Sequence, residues 1–202
     1  MTDPNGRAKR AVDLLVGALA MVMSAPLLGA LAIAIKWSSP GPVLFRQERV
    51  GRGRRPFMML KLRTMVDGAD RMVAELLARG GTDERFYKFE DDPRVTRVGA
   101  FLRRWSLDEL PQLWNVLRGE MSLVGPRPAL ASEVRAYAPW HLRRLEVRPG
   151  MTGAWQVSGR SELGFDDCVR LDLAYIDGWR LTRDVGILIR TAPAVLRRRG
   201  AL

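Results

Sequence analysis

The sequence predicts an α+β chain, mostly helical, with one small antiparallel β-hairpin and a membrane-embedded helix at the N-terminus. Three observations predict this class. The run from Leu14 to Ile35 carries no charged residue. Two short segments, Val43 to Val50 and Pro56 to Thr64, flank the glycine-rich Gly51-Arg52-Gly53-Arg54-Arg55 and read as paired strands. Apolar residues recur at helical spacing through Leu110, Leu113, Trp114 and Leu117, and again from Phe165 to Ile176 and from Asp184 to Leu196.

Length and composition narrow the function. A chain of 202 residues makes one domain, with room for an appendage. Its formal net charge of +11 calls for an anionic partner: a nucleic acid, an anionic membrane surface or a phosphorylated substrate. Cys168 and His141 are the only residues of their kinds. An intrachain disulfide, a cysteine zinc site and the usual histidine triads are thereby excluded. A metal, if used, is Mg²⁺ or Mn²⁺ on carboxylates and substrate phosphates.

In chain order, Arg7, Lys9 and Arg10 precede the uncharged run. Its length corresponds to about 33 Å of helix, against a bilayer core of about 30 Å. Pro26 removes one backbone bond near the middle, and Ser24 can bond a carbonyl left free there. Lys36, Arg46, Arg49, Arg52, Arg54 and Arg55 follow, so both flanks are positive, and positive flanks stay cytoplasmic. A helix that bends at Pro26 and leaves by the face it entered satisfies both flanks. A kinked spanning helix is the other solution, and the residues leave both open.

Ser38-Ser39-Pro40-Gly41-Pro42 is a loop leading into the hairpin. On its return strand Lys61 and Arg63 alternate with Leu60 and Leu62, so both cations share one face, either simply solvated or turned to a phosphate. Ala69 to Arg79 reads as a short helix, Thr82 to Pro93 as a polar loop, and Val95 to Arg104 as a helix.

The central stretch follows. Ser106 and Glu109 have capping-box spacing, which starts a helix at Leu107; Pro111 argues instead for a start near Leu110. Either way Asp108 and Glu109 stand at a helix N-terminus, where the dipole favours ionised carboxylates. Gly125-Pro126-Arg127-Pro128 makes a stiff turn that fixes the direction of Arg127. Two acids at a helix start can simply serve as cap and dipole partner. Beside fixed arginines in a basic chain, they also suit attack on a phosphate with one acid holding a divalent ion.

Ala129 to Tyr137 and Trp140 to Glu146 read as helical pieces. Arg148-Pro149-Gly150-Met151-Thr152-Gly153 is a tight loop in which Arg148 and Thr152 offer donors to an anion, although a plain structural turn explains it as well. Ala154 to Val157 reads as a short strand, and Ser158 to Arg160 as a turn. The last two helices carry Val169, Leu173 and Ile176 on one face and Pro193 near the end.

These segments together resemble the bacterial sugar transferase family, the monotopic polyprenol-phosphate phosphoglycosyl transferases. The resemblance runs from about Lys9 to Ala201. It rests on Lys9 to Asp13, Ser38 to Val43, Phe45 to Gly51, Lys61 to Met65, Ser106 to Gln112, Val124 to Pro128 and Arg148 to Gly153, in that order. It implies the compact form of the family: a re-entrant helix over residues 1–37, broken at Ser24 and Pro26, and a cytoplasmic catalytic domain over 38–202 with interfacial helices. Ala25 separates Ser24 from Pro26, where family members often have serine directly before the proline.

The implied reaction moves a sugar phosphate from a nucleotide diphosphate sugar, usually a UDP-sugar, to polyprenyl phosphate at the bacterial inner membrane. By the resemblance Asp108 is the nucleophile, forming an aspartyl phosphosugar and releasing UMP, and Glu109 holds Mg²⁺. Lys61, Arg63, Arg127, Arg148 and Gln156 are the implied substrate contacts. A non-enzymatic basic module that binds anionic lipid or a partner protein would use the charge and the apolar helix, but leaves Asp108 and Glu109 unexplained. Nucleic-acid binding would rest on charge alone, since no zinc finger or RNA-recognition motif is present.

Overall fold

The computed structural model describes residues 3–69, 72, 92–158 and 164–196. The fold is α+β, as the sequence predicts. Helix α1, Arg7–Ser38, runs for 32 residues. It stops where Ser39 turns extended and Pro40 and Pro42 follow, neither of which can donate to a continuing helix. Pro26 lies inside α1 without ending it. A proline there removes the donor that would reach the Val22 carbonyl. The Ser24 hydroxyl does not replace it: it donates to Met21 O at 3.1 Å, one residue earlier.

One stripe of α1 packs on the rest of the chain. Lys9, Asp13, Gly17, Leu31 and Ile35 are buried, with Ala20, Met21 and Leu28 partly buried along the same line. This is helical spacing, so a single face is covered. The opposite face, with Leu15, Leu19, Val22, Met23 and Ile33, is exposed. α1 is long and apolar enough to cross a membrane, yet its two ends rest on the same domain.

The hairpin follows its sequence reading closely. Strands β1, Leu44–Val50, and β2, Pro56–Leu62, pair antiparallel from Leu44 opposite Leu62 to Val50 opposite Pro56. Gly53 and Arg54 take positive φ in the connecting turn. Helix α2 spans Arg97–Arg104, capped by Thr96, whose hydroxyl accepts from Gly99 N at 2.9 Å. Helix α3 is Gln112–Arg118. A second, parallel pair joins β3, Ser122–Val124, to β4, Gly150–Thr152. Here the backbones meet closely: a Cβ on Gly150 would strike Gly125 N. Helices α4, Ala131–Arg135, α5, Phe165–Asp177, and α6, Leu181–Leu196, follow among the described residues.

Several local readings are corrected. Ala154 to Val157 is not a strand; Trp155–Val157 is a 3₁₀ turn, and the strand is the preceding Gly150–Thr152 segment. Its pairing with β3 was not visible because the two strands are distant in sequence. Pro139–Glu146 is one 3₁₀ stretch. The α5 face buries Val169, Asp172 and Tyr175 most deeply, which includes a carboxylate that apolar periodicity overlooks. The helix expected at Ala69 to Arg79, most of the loop to Pro93 and the turn at Gly159 and Arg160 lie outside the described residues.

Among the described residues two apolar clusters hold the domain. The larger joins Phe57, Met59, Leu113, Val116, Met121, Val124, Tyr175 and Ile187 with neighbours. The smaller joins Leu31 and Ile35 of α1 to Leu62 and Leu102, with Leu107 against it. Charged pairs reinforce α1 at its other end. Lys9 Nζ lies 2.6 Å from Asp184 Oδ2, and Arg10 donates to the Val116 and Leu117 carbonyls. Asp13 Oδ1 accepts from Ser122 Oγ and Leu123 N.

Candidate active site

Asp108 and Glu109 belong to a short 3₁₀ turn, Leu107–Glu109, that feeds into α3. The capping box expected from Ser106 and Glu109 does not form. Ser106 is left-handed, φ 53°, and its side chain makes no cap bond. Pro111, at φ −62°, occupies the N-cap of α3 and needs no N–H of its own there. The helix therefore starts later than either sequence reading.

The backbone turn at Ser106 folds Asp108 back against α2 and β2. Asp108 is 8% exposed. Lys61 of β2 places Nζ 2.9 Å from Glu109 Oε1 and 3.8 Å from Asp108 Oδ2. Arg103 of α2 is the second cation in reach; its Nε donates to Thr64 Oγ1 at 2.9 Å. Burial pushes the Asp108 carboxyl above its ordinary value, Lys61 opposes this, Glu109 adds to it and Arg103 opposes it. The helix terminus and nearby cations, expected to favour the ionised form, do not set the direction here, because loss of solvent outweighs them. Burial also lowers Arg103, with Asp108 and Asp92 countering.

The other sequence candidates divide. Lys61 stands at the acid pair. Arg127 is exposed at the tip of the Gly125–Pro128 turn. Its charge and that of Glu109 are both felt by Arg49, so the turn borders the same neighbourhood. Arg63 does not join them. Its guanidinium donates to Pro40 O at 2.7 Å and to Ser39 O and Oγ at 2.8 and 2.9 Å, bracing the loop after α1. Gly41, at φ 111°, fits there because a Cβ would overlap Arg63 Nη1.

Arg148 donates through Nε to Gly119 O at 3.1 Å, at the C-terminal end of α3. Asp108 precedes the other end of that seven-residue helix, roughly 10 Å away by helical rise. Arg148 thus serves the carbonyl end of α3, as Arg10 does. Gln156 folds back onto its own loop, with Nε2 3.4 Å from Met151 O.

Three contributors went unmarked in the sequence. Arg103 lies five positions before Asp108, and the left-handed Ser106 folds the chain so that the two charges are felt by each other. Arg49 shares a strand face with Gln47, an alternation that was readable, but its burial was not. Asn115, 1% exposed, accepts from Leu60 N and donates to Met58 O and Glu120 Oε2. It binds α3 to the outer edge of β2 and so sets Lys61 against the acids.

No group of three or more metal-ligating side chains occurs among the described residues. Adjacent Asp108 and Glu109 are hard oxygen donors of the kind that holds Mg²⁺ when phosphate oxygens complete the shell. Glu109 keeps Oε1 on Lys61 and remains partly exposed, so the donor set fits that mode.

A family model described as bacterial sugar transferase matches residues 4–198. A UDP-galactose-lipid carrier transferase of Erwinia amylovora is 47% identical over 200 residues, covering 96% of this chain and 41% of that protein. The exopolysaccharide production protein ExoY of Sinorhizobium fredii is 40% identical over 200 residues, covering 97% of this chain and 88% of that protein. A UDP-glucose:undecaprenyl-phosphate glucose-1-phosphate transferase of Caulobacter vibrioides is 46% identical over 201 residues, covering 93% and 69%. The chain spans about two fifths of the length of several relatives it matches.

Proposed function

Because the chain belongs to the bacterial sugar transferase family, we propose that it transfers a sugar 1-phosphate from a UDP-sugar to a polyprenyl phosphate. The observation that carries this reading is the buried Asp108 carboxylate set beside Glu109, with Lys61 and Arg103 in reach. The names of the Erwinia and Caulobacter relatives support the donor and acceptor classes.

In the first step an Asp108 carboxylate oxygen attacks the β-phosphorus of the donor. The new bond joins that oxygen to phosphorus; the bond to the bridging oxygen breaks, and UMP leaves with the electron pair. In the second step a phosphate oxygen of the lipid attacks the same phosphorus. The Asp108 bond then breaks, giving polyprenyl diphosphate sugar and a free carboxylate. Lys61 orients Glu109 and lowers the repulsion between two acids and an incoming diphosphate. Arg103 supports the ionised Asp108, and Arg127 receives a phosphate from the open side. Glu109 would hold Mg²⁺ or Mn²⁺, which when bound supplies charge neutralisation to the diphosphate.

α1 supports a placement at the membrane. Its exposed apolar face needs a nonpolar medium, and both its ends sit on one domain. We propose that residues 1–37 enter the inner membrane from the cytoplasmic side without crossing it. Pro26 marks the point where the backbone ladder lacks a bond, and residues 38–202 carry the chemistry at that surface.

The test is a panel of UDP-sugars supplied with polyprenyl phosphate in vesicles, scored for UMP. Release with one or more sugars, dependent on lipid for turnover, is expected. No UMP from any donor, with the protein folded and vesicle-bound, overturns the reading.

A further inference from the structure

We infer that Arg49 is a positioning residue for Arg127 and adds its own charge to a single phosphate site formed at that turn. The inference rests on the transferase reading only for where the phosphate comes from.

Arg49 is 7% exposed. A guanidinium does not shed its proton in a protein, and a buried charge ordinarily has a counter-charge. Other buried cations of this fold obey that rule: Lys9 with Asp184 at 2.6 Å, Arg94 with Asp92 at 2.7 Å and Arg144 with Asp172 at 2.8 Å. Arg49 has no ion pair among the described residues. Its Nη1 donates to Pro128 O at 3.2 Å and its Nη2 to Gln47 Oε1 at 2.7 Å, both neutral acceptors. Its Nε is buried and has no hydrogen-bond partner. Arg63, also buried without an ion pair, differs: three oxygens of Ser39 and Pro40 take its guanidinium, with Asp67 alongside at Gly41.

The charge of Arg127 aggravates the position of Arg49. Burial and the positive charge of Arg127 pull it down to about 10, with Glu133 and Glu109 offsetting in part. Those carboxylates are engaged elsewhere, Glu133 on Leu130 N at 2.7 Å and Glu109 on Lys61 at 2.9 Å. Arg127 itself has no hydrogen bond or ion pair among the described residues, and it directly precedes the Pro128 that Arg49 holds. Val50 N adds a second tie to the turn, donating to Ala129 O at 2.9 Å. One arginine therefore clamps the turn that presents the other, and two like charges interact with no acid in ion-pair distance of either among the described residues. A phosphate bearing one or two negative charges completes that arrangement. Either the donor diphosphate or the lipid phosphate has this chemistry.

The test compares wild type, Arg49→Gln, Arg49→Lys, Arg127→Ala and Arg49→Gln/Arg127→Ala as full chains in vesicles, with thermal melting to establish folding. Each substrate is varied against a saturating level of the other. Arg49→Gln should raise KM for one of them by about tenfold or more, with little change in kcat. Arg49→Lys, which keeps the charge without the fork, should recover part of that loss. The double variant should be no worse than about the weaker single, because the two residues act as one unit. A raised donor KM assigns the UDP-sugar phosphate; a raised acceptor KM assigns the lipid.

Unchanged KM values in folded Arg49→Gln overturn the inference, as do losses that multiply in the double variant. If Arg49→Gln does not fold, Arg49→Lys must raise the same KM as Arg127→Ala, and an unchanged value is decisive against it. Calorimetric binding of inorganic phosphate and of UDP, needing no turnover, separates this inference from the transferase reading. Wild type binding either anion more tightly than Arg49→Gln supports it, whereas equal or absent binding removes it even if UMP release is intact.

Discussion

Asn115 holds the backbone of Leu60: its Oδ1 accepts from Leu60 N at 3.0 Å, one residue before Lys61. The same amide donates to Met58 O at 2.8 Å, so it stands where a third strand would otherwise pair. The position of Lys61 at the acid pair thus depends on a side chain of α3.

Asn115→Ala should lower stability by about 1–3 kcal/mol, because two backbone groups of β2 lose a buried partner. It should also reduce transfer at temperatures where the protein remains folded. Chemical denaturation and initial rates measured side by side check this; full activity in a destabilised variant would show that β2 holds Lys61 unaided.

Asp108→Asn should abolish UMP release and leave no label on the protein after incubation with labelled UDP-sugar and no lipid. It should also be at least as stable as wild type near neutral pH. Burial raises the Asp108 pKa above 3.8. A raised carboxyl favours folding while protonated; that contribution is complete below 3.8 and is lost as pH rises through the folded value. The asparagine escapes the loss, so its advantage should shrink as pH falls toward 3.8. Label mapping to another residue would make Asp108 a structural or metal-binding acid.

Arg127 and Arg148 should separate under mutation. Arg127→Ala, at an exposed position, should slow transfer by about ten- to a hundredfold with an unchanged melting temperature. Arg148→Ala removes a cation from the carbonyl end of α3 and should show mainly a stability loss of about 0.5–2 kcal/mol. Equal kinetic losses in both would bring Arg148 to the substrate.

Asp184→Ala should be among the most damaging changes, at about 3–5 kcal/mol, since it strands a buried Lys9. It also removes the acceptor of Tyr175 OH at 2.7 Å and of Trp179 Nε1 at 3.1 Å. Lys9→Met with Asp184→Leu should recover much of that loss in equilibrium unfolding. Failure of the double change to recover would mean the hydrogen bonds matter more than the stranded charge.

Cysteines placed at Asn5 and Ser39 in a Cys168→Ser background should react with an impermeant reagent from the same side of sealed vesicles. Opposite sides would require the ends of α1 to leave the domain they both touch here, and would restore a spanning helix.

Most elements were legible because their signals are local. The uncharged run of α1, the hairpin around Gly51 to Arg55 and the periodicity of α5 and α6 need only neighbours a few residues apart. The boundaries that failed depend on other constraints. Ser106 was read as a cap, but its left-handed backbone is set by packing α2 and α3 around Asp108. Strand β4 hid inside a glycine loop because its partner β3 lies far away in the chain. Buried Asp172 and Asp184 interrupted apolar faces because Arg144 and Lys9, 28 and 175 residues distant, complete them.

By itself the sequence determined the long N-terminal helix, the β1–β2 hairpin and the helical periodicity of α5 and α6, that Asp108 and Glu109 stand side by side before a helix, and that the N-terminal helix is too apolar for water. Only the tertiary structure decided which cations meet the acids. Lys61 in β2 and Arg63 just past its end are two residues apart and were read on one face, yet one reaches Glu109 and the other braces Ser39 and Pro40. Arg148 went to the far end of α3, while Arg103 and Arg49 came toward the acids. The physical reason is range: helix and strand preference arises within a few residues, whereas the burial of Asp108 and the choice of its counter-charges are set by elements that meet only when the core closes.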